Sequence, residues 1–303
     1  GCGIELMTGM FNKIGINSTA FPSLSPEQLV EAMVKLGYRG IEWRVAETNE
    51  LNPNISWNAV SNNCCTVQPN LKSIEQITDL CKQANIEIFG LSPYIPVGDK
   101  NYALKMLDLA HVANHARVRI WAPFNGNGST YQERYYQFRK FIDELLMRAE
   151  ELNVQLALEI HQRTICSSPS LAVRVAEHYP HNLLGVIYDM GNLAIEGRED
   201  VQLSLDLIGK HLTHVQIKNV GYQPLAENEG WAWYWETIEN GVLPIPKMLS
   251  TVIKNNFNDW LSIEDFSSQR SDLEKLKHNI ELIRSYLDGD FYAIEKELVA
   301  HAK

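Results

Sequence analysis

The chain lacks long apolar runs, clustered basic stretches and a pairable cysteine framework, and each absence removes a class of function. No stretch approaches the roughly 18 uninterrupted apolar residues of a membrane-spanning helix, so no membrane partner is expected. Only 27 Lys and Arg stand against 37 Asp and Glu, for a net charge of −10. Without a basic field there is nothing to grip a phosphate backbone, and no nucleic acid partner is expected. The five cysteines, Cys2, Cys64, Cys65, Cys81 and Cys166, form neither an even disulfide set nor a C-x-x-C metal spacing. Reduced thiols in the cytoplasm fit that pattern. A cytoplasmic location is also the expectation from Gly1 to Met10, which contain no charged-then-apolar leader.

Several motifs are missing too. The first apolar run, Lys13-Ile14-Gly15-Ile16-Asn17-Ser18, is not the G-x-G-x-x-G of a dinucleotide-binding open sheet. No H-E-x-x-H zinc pattern and no G-x-S-x-G nucleophile elbow occur.

What the sequence does contain is a regular alternation of short apolar runs with longer amphipathic ones, the mark of repeated βα units. Eight strands are predicted: Ile14 to Asn17, Gly40 to Arg44, Ile86 to Leu91, Arg117 to Trp121, Val154 to Glu159, Leu183 to Asp189, Leu212 to Lys218 and Trp260 to Glu264. Eight units in 303 residues fit one α/β domain over 1–303, a single (β/α)8 TIM barrel. Ser25 before Pro26, with Gln28 to close a capping box, and Ser168 before Pro169 predict helix starts after strands one and five.

Two connections, Val45 to Asn70 and Asn219 to Leu243, are too long for plain βα loops and should rise above the catalytic end of the barrel. The second carries Trp231, Trp233, Tyr234 and Trp235. These rings suit two uses: stacking on a sugar as a binding surface or lid, with Trp233 a candidate contact, or packing against the barrel or a second subunit of a homo-oligomer.

Each of the last four strands ends in a side chain able to bind a metal. Alternation along each strand puts Glu159 on one face with Ala157, Asp189 with Ile187, Gln216 with His214, and Glu264 with Ser262, so all four can point inward. Carboxylates gathered at the end of a barrel are costly without a cation, and a bound divalent metal resolves that cost.

These strand ends are where the chain resembles the xylose isomerase-like TIM barrel superfamily of sugar isomerases, ketose epimerases and related dehydratases. The resemblance rests on Gly40-Ile41-Glu42-Trp43-Arg44, Leu156-Ala157-Leu158-Glu159-Ile160-His161 and Tyr188-Asp189-Met190-Gly191-Asn192, and on His214-Val215-Gln216-Ile217-Lys218-Asn219, Leu261-Ser262-Ile263-Glu264 and the turn Glu239-Asn240-Gly241. It covers essentially the whole chain. It implies that Glu159, Asp189 and Glu264 are metal ligands, with Gln216 where the family usually has histidine. Asn192 stands where many epimerases have a second histidine that contacts substrate.

An all-oxygen set made of three carboxylates and one amide favours Mn²⁺ or Mg²⁺ over Zn²⁺. Strands five and eight are three steps apart in the ring, so Glu159 and Glu264 can present carboxylates to opposite faces of a substrate as catalytic acid and base. The expected activity is a metal-dependent isomerisation or epimerisation of a sugar or polyol by proton transfer next to a carbonyl. The alternatives are a dehydratase of the inosose or dehydroshikimate type, which Gln216 would suit, and a sugar-binding barrel without catalysis.

Around this centre, Arg44 on the inward face of strand two offers a fork for substrate oxygens, and Glu42 shares that face. A structural ion pair is the competing use of both. His161 and Lys218 are further substrate-binding candidates, set against a hydrogen-bonded strand end for the one and a solvated strand end for the other. His214, one layer deeper, reads as an interior packing residue.

Overall fold

A computed structural model describes residues 9–47 and 62–288. Cys2 and the middle of the Val45 to Asn70 connection lie outside them. Eight parallel strands close into a ring: β1 (Ile14–Asn17), β2 (Gly40–Val45), β3 (Glu87–Pro93), β4 (Arg117–Ile120), β5 (Leu156–Glu159), β6 (Leu184–Asp189), β7 (Leu212–Ile217) and, after the hairpin strands β8 (Asn219–Pro224) and β9 (Trp231–Glu236), β10 (Leu261–Ile263). β10 closes the ring between β1 and β7. All eight predicted strands are present, with ends shifted by no more than two residues.

The helices between strands start where the sequence provides caps. Ser25 and Gln28 form a reciprocal capping box on the helix Pro26–Leu36, as do Thr130 with Glu133 and Ser271 with Glu274 on later helices. Ser168 accepts from Leu171 N at the start of Pro169–Ala176. Such caps satisfy amide donors that the first helical turn otherwise leaves unpaired.

Alternation along the strands sorts side chains into two layers. Leu156, Leu158, Val186, Tyr188, Val215, Ile217, Leu261 and Ile263 belong to the apolar core between strands and helices. The intervening positions face the barrel axis, and there the chain is polar: Asn17, Glu42, Glu159, Asp189, His214, Gln216 and Ser262 are all at most 2% exposed.

The amino-terminal end of the barrel is plugged by aromatics. Trp260 stacks on Phe89 at 5.1 Å, and His214 meets the Phe89 ring edge-on at 5.1 Å. This plug requires small residues on neighbouring strands. A Cβ at Gly40 would come 2.5 Å from the Trp260 ring, and one at Gly15 would come 2.7 Å from Phe89. Arg117 closes the layer with a two-pronged pair to Asp259 at 2.9 and 2.6 Å.

The Asn219 to Leu243 connection, expected as a long loop, is an antiparallel hairpin of β8 and β9 in which Tyr222 faces Trp233 and Val220 faces Trp235. Trp-Ala-Trp-Tyr-Trp alternates as a strand should, and Asn228 and Gly230 take the positive φ values of the turn. Asn219 fastens the base of the hairpin. Its amide donates to the carbonyls of Ile238 and Leu243, and its oxygen accepts from Leu243 N. Gly241 leaves room for this staple, since a Cβ there would meet the Asn219 side chain at 2.0 Å.

Candidate active site

The carboxyl ends of the strands surround a cavity of ≈ 230 Å³. A larger cleft of ≈ 910 Å³ opens at the opposite end, around Lys13, Arg39, Glu87 and Trp260. Size alone would favour that cleft, but Glu159 and Glu264 line the smaller one, with Asp189 and Gln216 fully buried and off its wall.

Strand register explains the convergence. Asp189 is level with Gln216 across β6 and β7, and Gln216 with Ser262 across β7 and β10, so residues from strands distant in sequence end at one height. Glu159 ends β5, and Glu264 follows β10 by one residue. Glu159, Asp189 and Glu264 each offer an oxygen within 4.8 Å of the others, and all three are buried.

Their remaining oxygens are held from behind. Asp189 Oδ1 caps the helix Met190–Glu196 by accepting from Asn192 N at 2.8 Å. Glu159 Oε1 accepts from Trp121 Nε1 at 3.1 Å and from Asn192 Nδ2 at 3.3 Å. Glu264 Oε2 accepts from Asn17 Nδ2 at 2.9 Å.

Into this ring comes Lys218. Its ammonium lies 3.0 Å from Asp189 Oδ2 and 2.6 Å from Glu264 Oε1. The side chain is buried, not a solvated strand end. Asp189 and Glu264 hold it charged against the opposing effect of burial. The carboxyls shift the other way. Burial, helped by Glu159, pushes Asp189 up to about 6, while Lys218 pulls it back. Burial raises Glu264 well above the usual carboxylate range, again against Lys218 and with Asp189 and Glu159 adding to the rise.

Gln216 reaches the other way across the barrel. Its Nε2 donates to Glu42 Oε1 at 2.9 Å, while its Oε1 is buried and accepts no hydrogen bond among the described residues. Glu42 is therefore not on the cavity wall. It also accepts from Asn17 Nδ2 at 2.9 Å and faces His214 Nε2 at 3.1 Å. Burial opposes its ionisation, but His214, Ser262 and Gln216 hold its carboxyl below the usual range. His214 is the interior residue expected of it.

Arg44, His161, Asn192, Lys218 and Trp233 all line the cavity. Arg44 donates through Nε to Tyr94 Oη at 3.2 Å and through Nη1 to Thr66 Oγ1. His161 bonds the Gln162 carbonyl through Nδ1 at 2.8 Å and packs against Trp121 and Phe124 at 4.9 and 5.3 Å. Burial lowers its pKa, which keeps the ring neutral.

The sequence reading did not single out Asn17, Arg119, Trp121 or Phe266, which also line the cavity together with Trp235 of the hairpin ring cluster. Arg119 lies 4.0 Å from Glu159 Oε2 and over the Trp121 ring at 4.0 Å. The signal was available for two of them. Arg117 and Arg119 alternate along β4, and Asn17 shares the inward face of β1 with Gly15.

The donor set fits a divalent cation: three buried carboxylates grouped within reach of one ion, and the amide oxygen of Gln216, buried without a hydrogen-bond partner among the described residues, beside Asp189 in the strand register. Lys218 shares the same carboxylates.

No curated protein matches the chain by sequence. Among solved structures the chain is similar to 3-keto-D-glucoside 4-epimerase YcjR from E. coli, with a TM-score of 0.67, 13% identity and coverage of 90% of this chain and 99% of that one. A D-tagatose 3-epimerase-like protein matches with a TM-score of 0.66 and 15% identity over 92% and 99%. The IOLI protein with a bound zinc atom matches with a TM-score of 0.65 and 18% identity over 91% and 98%. At these identities the likeness establishes the fold. Sequence goes further, because the model of the xylose isomerase-like TIM barrel family matches residues 30–286. The chain belongs to the xylose isomerase-like TIM barrel family.

Proposed function

We propose that the protein is a sugar or polyol isomerase or epimerase that moves a proton next to a carbonyl, with Glu159 and Glu264 as the acid and base. The observation that carries this reading is the meeting of these two carboxyl groups, from strands three steps apart, at the floor of a small aromatic-walled cavity. Its ≈ 230 Å³ falls below the roughly 300–1,000 Å³ of sites for drug-sized ligands, and suits a molecule the size of one sugar. Aromatic faces such as Trp233 and Trp235 suit the apolar face of a sugar ring, and named neighbours of the fold are sugar epimerases.

The two carboxyl groups are poised differently. Glu159 Oε2 is buried and accepts no hydrogen bond among the described residues, with Arg119 4.0 Å away, so it is the oxygen assigned to take a proton. Glu264, whose pKa burial raises against the pull of Lys218, is the group assigned to return one. In the reverse direction the roles exchange. Asn192 and Trp121 fix the other oxygen of Glu159, and Asn17 fixes that of Glu264, so each carboxyl presents a defined edge to the substrate.

A divalent ion held by Glu159, Asp189, Glu264 and the Gln216 amide oxygen would polarise the substrate carbonyl. Mn²⁺ or Mg²⁺ suits that all-oxygen set better than Zn²⁺. Arg44, His161 and Lys218 line the cavity and are assigned to bind substrate oxygens.

The test is incubation with a panel of ketohexoses, aldohexoses and keto-polyols in deuterated water with Mn²⁺, followed by NMR. Deuterium entering a carbon next to the carbonyl, lost in Glu159→Gln, is the expected result. An unsaturated product with no isomer formed would instead assign the dehydratase chemistry. Exchange that persists in Glu159→Gln and Glu264→Gln would overturn the acid and base assignment.

A further inference from the structure

We propose that Lys218 is a resident counter-ion of the acidic ring that competes with a divalent metal for Asp189 and Glu264, and so sets the affinity of the site for metal. The inference rests on reading the ring as a metal site.

Four independent features place the ammonium there. It is within 3.0 Å of Asp189 Oδ2 and 2.6 Å of Glu264 Oε1. Two aromatic faces cap it from the cavity side, with the nitrogen 4.5 Å from the Trp235 ring centroid and 4.9 Å from that of Phe266. Its stem runs across Gly191, where a Cβ would come 2.8 Å from Lys218 Cβ and Cγ. Those atoms are tied to the backbone and have little freedom to yield. The position is also fixed in the chain: Lys218 joins β7 to β8, and the next residue, Asn219, is the staple of the hairpin.

The ammonium and a metal ion make the same demand on the ring. The oxygens that Lys218 occupies on Asp189 and Glu264 face the cluster that a cation would fill, because their other oxygens are committed to Asn192 N and Asn17 Nδ2. Three carboxylates without any cation would repel one another in a buried space, and Lys218 relieves that repulsion when no metal is present. For a metal to enter, the ammonium must swing away from both oxygens. The folded, metal-free protein is therefore stable, and metal affinity is reduced by the work of displacing the lysine.

The test compares wild type with Lys218→Met and Lys218→Gln, both of which remove the charge and keep a long side chain. Mn²⁺ binding is measured by titration calorimetry, and thermal melting is followed with EDTA and with Mn²⁺. The expected result is Mn²⁺ binding at least about tenfold tighter in the neutral variants, since a like charge next to the ion has been removed. The metal-free variants should also melt below metal-free wild type and recover when Mn²⁺ is added. A variant that can be kept folded only in Mn²⁺ is the strong form of the same result. Equal Mn²⁺ affinity in wild type and both variants would overturn the competition while leaving the ring a metal site. Failure of all three proteins to take up Mn²⁺ would overturn the metal reading, and the competition with it.

Discussion

Gln216 and Glu42 meet across the barrel axis, the amide nitrogen of one 2.9 Å from a carboxylate oxygen of the other, and this bond decides how Gln216 presents itself to the ring. With Nε2 committed to Glu42, the free group is the oxygen, a hard donor. Replacing it with the imidazole more usual in the family should shift preference towards Zn²⁺. Gln216→His is expected to raise Zn²⁺ affinity relative to Mg²⁺, and Gln216→Ala to weaken both, by titration calorimetry with each ion. Unchanged affinities in Gln216→Ala would show that Gln216 serves only to hold Glu42.

The two glutamates separate binding from chemistry. Glu264→Gln keeps the side-chain shape and one oxygen, which can accept from Lys218 or from Asn17 Nδ2 but not from both, so the fold should be retained with one of these bonds lost. Loss of a positioned acid or base removes on the order of 10² in turnover. Glu264→Gln and Glu159→Gln are each expected to lose about that factor in kcat, with circular dichroism unchanged. Turnover within a few-fold of wild type in either variant would remove that residue from the proton-transfer step.

Much of this arrangement is legible in the sequence. The eight strands could be read because parallel strands covered by helices are short apolar runs with polar intervals, and the inward direction of Glu159, Asp189, Gln216 and Glu264 followed from a period of two. The partnerships could not be read. Nothing in the spacing of Lys218 places its amine between Asp189 and Glu264, because that depends on the absence of a side chain at Gly191 and on the rings of Trp235 and Phe266. Glu42 and Arg44 share an inward face, yet only Arg44 reaches the cavity, because Glu42 sits one layer lower beside His214. The hairpin was hidden by its length, and its strand alternation was masked by rings on both faces.

The raised carboxyl groups give the metal-free protein an unusual pH dependence. Asp189, at about 6, keeps its proton in the folded chain where an ordinary aspartate, near about 3.9, has lost it. Between those values the native state binds more protons, so this contribution is full at low pH and is lost as pH rises through about 6. Glu264 acts in the same direction. Glu42 acts in the opposite one, its contribution being present above the unfolded value and lost as pH falls. Urea unfolding of metal-free protein should show a decline in stability between about pH 4 and 6 that Asp189→Asn flattens. An equally steep decline in Asp189→Asn would show that it arises elsewhere.

The β9 tryptophans allow the two uses of the hairpin to be told apart. Trp231, Trp233 and Trp235 alternate along one face of the strand, but their surroundings differ. Trp235 lies over Lys218 and packs against Phe266. Trp233 lines the cavity and meets Trp235 at 4.7 Å. Trp231, 66% exposed, is not part of the cavity wall. If the face serves substrate, Trp233→Ala removes a stacking surface that binds ground state and transition state alike, and KM should rise by about three- to tenfold with kcat little changed. Trp231→Ala should then leave both constants near wild type. If the face joins subunits, the exposed Trp231 is the larger contributor, and Trp231→Ala should lower the sedimentation coefficient at a fixed protein concentration while Trp233→Ala leaves KM unaltered. Steady-state kinetics and analytical ultracentrifugation on the same two variants therefore give opposite patterns for the two uses, and a rise in KM confined to Trp233→Ala would assign the inner part of the hairpin to the sugar.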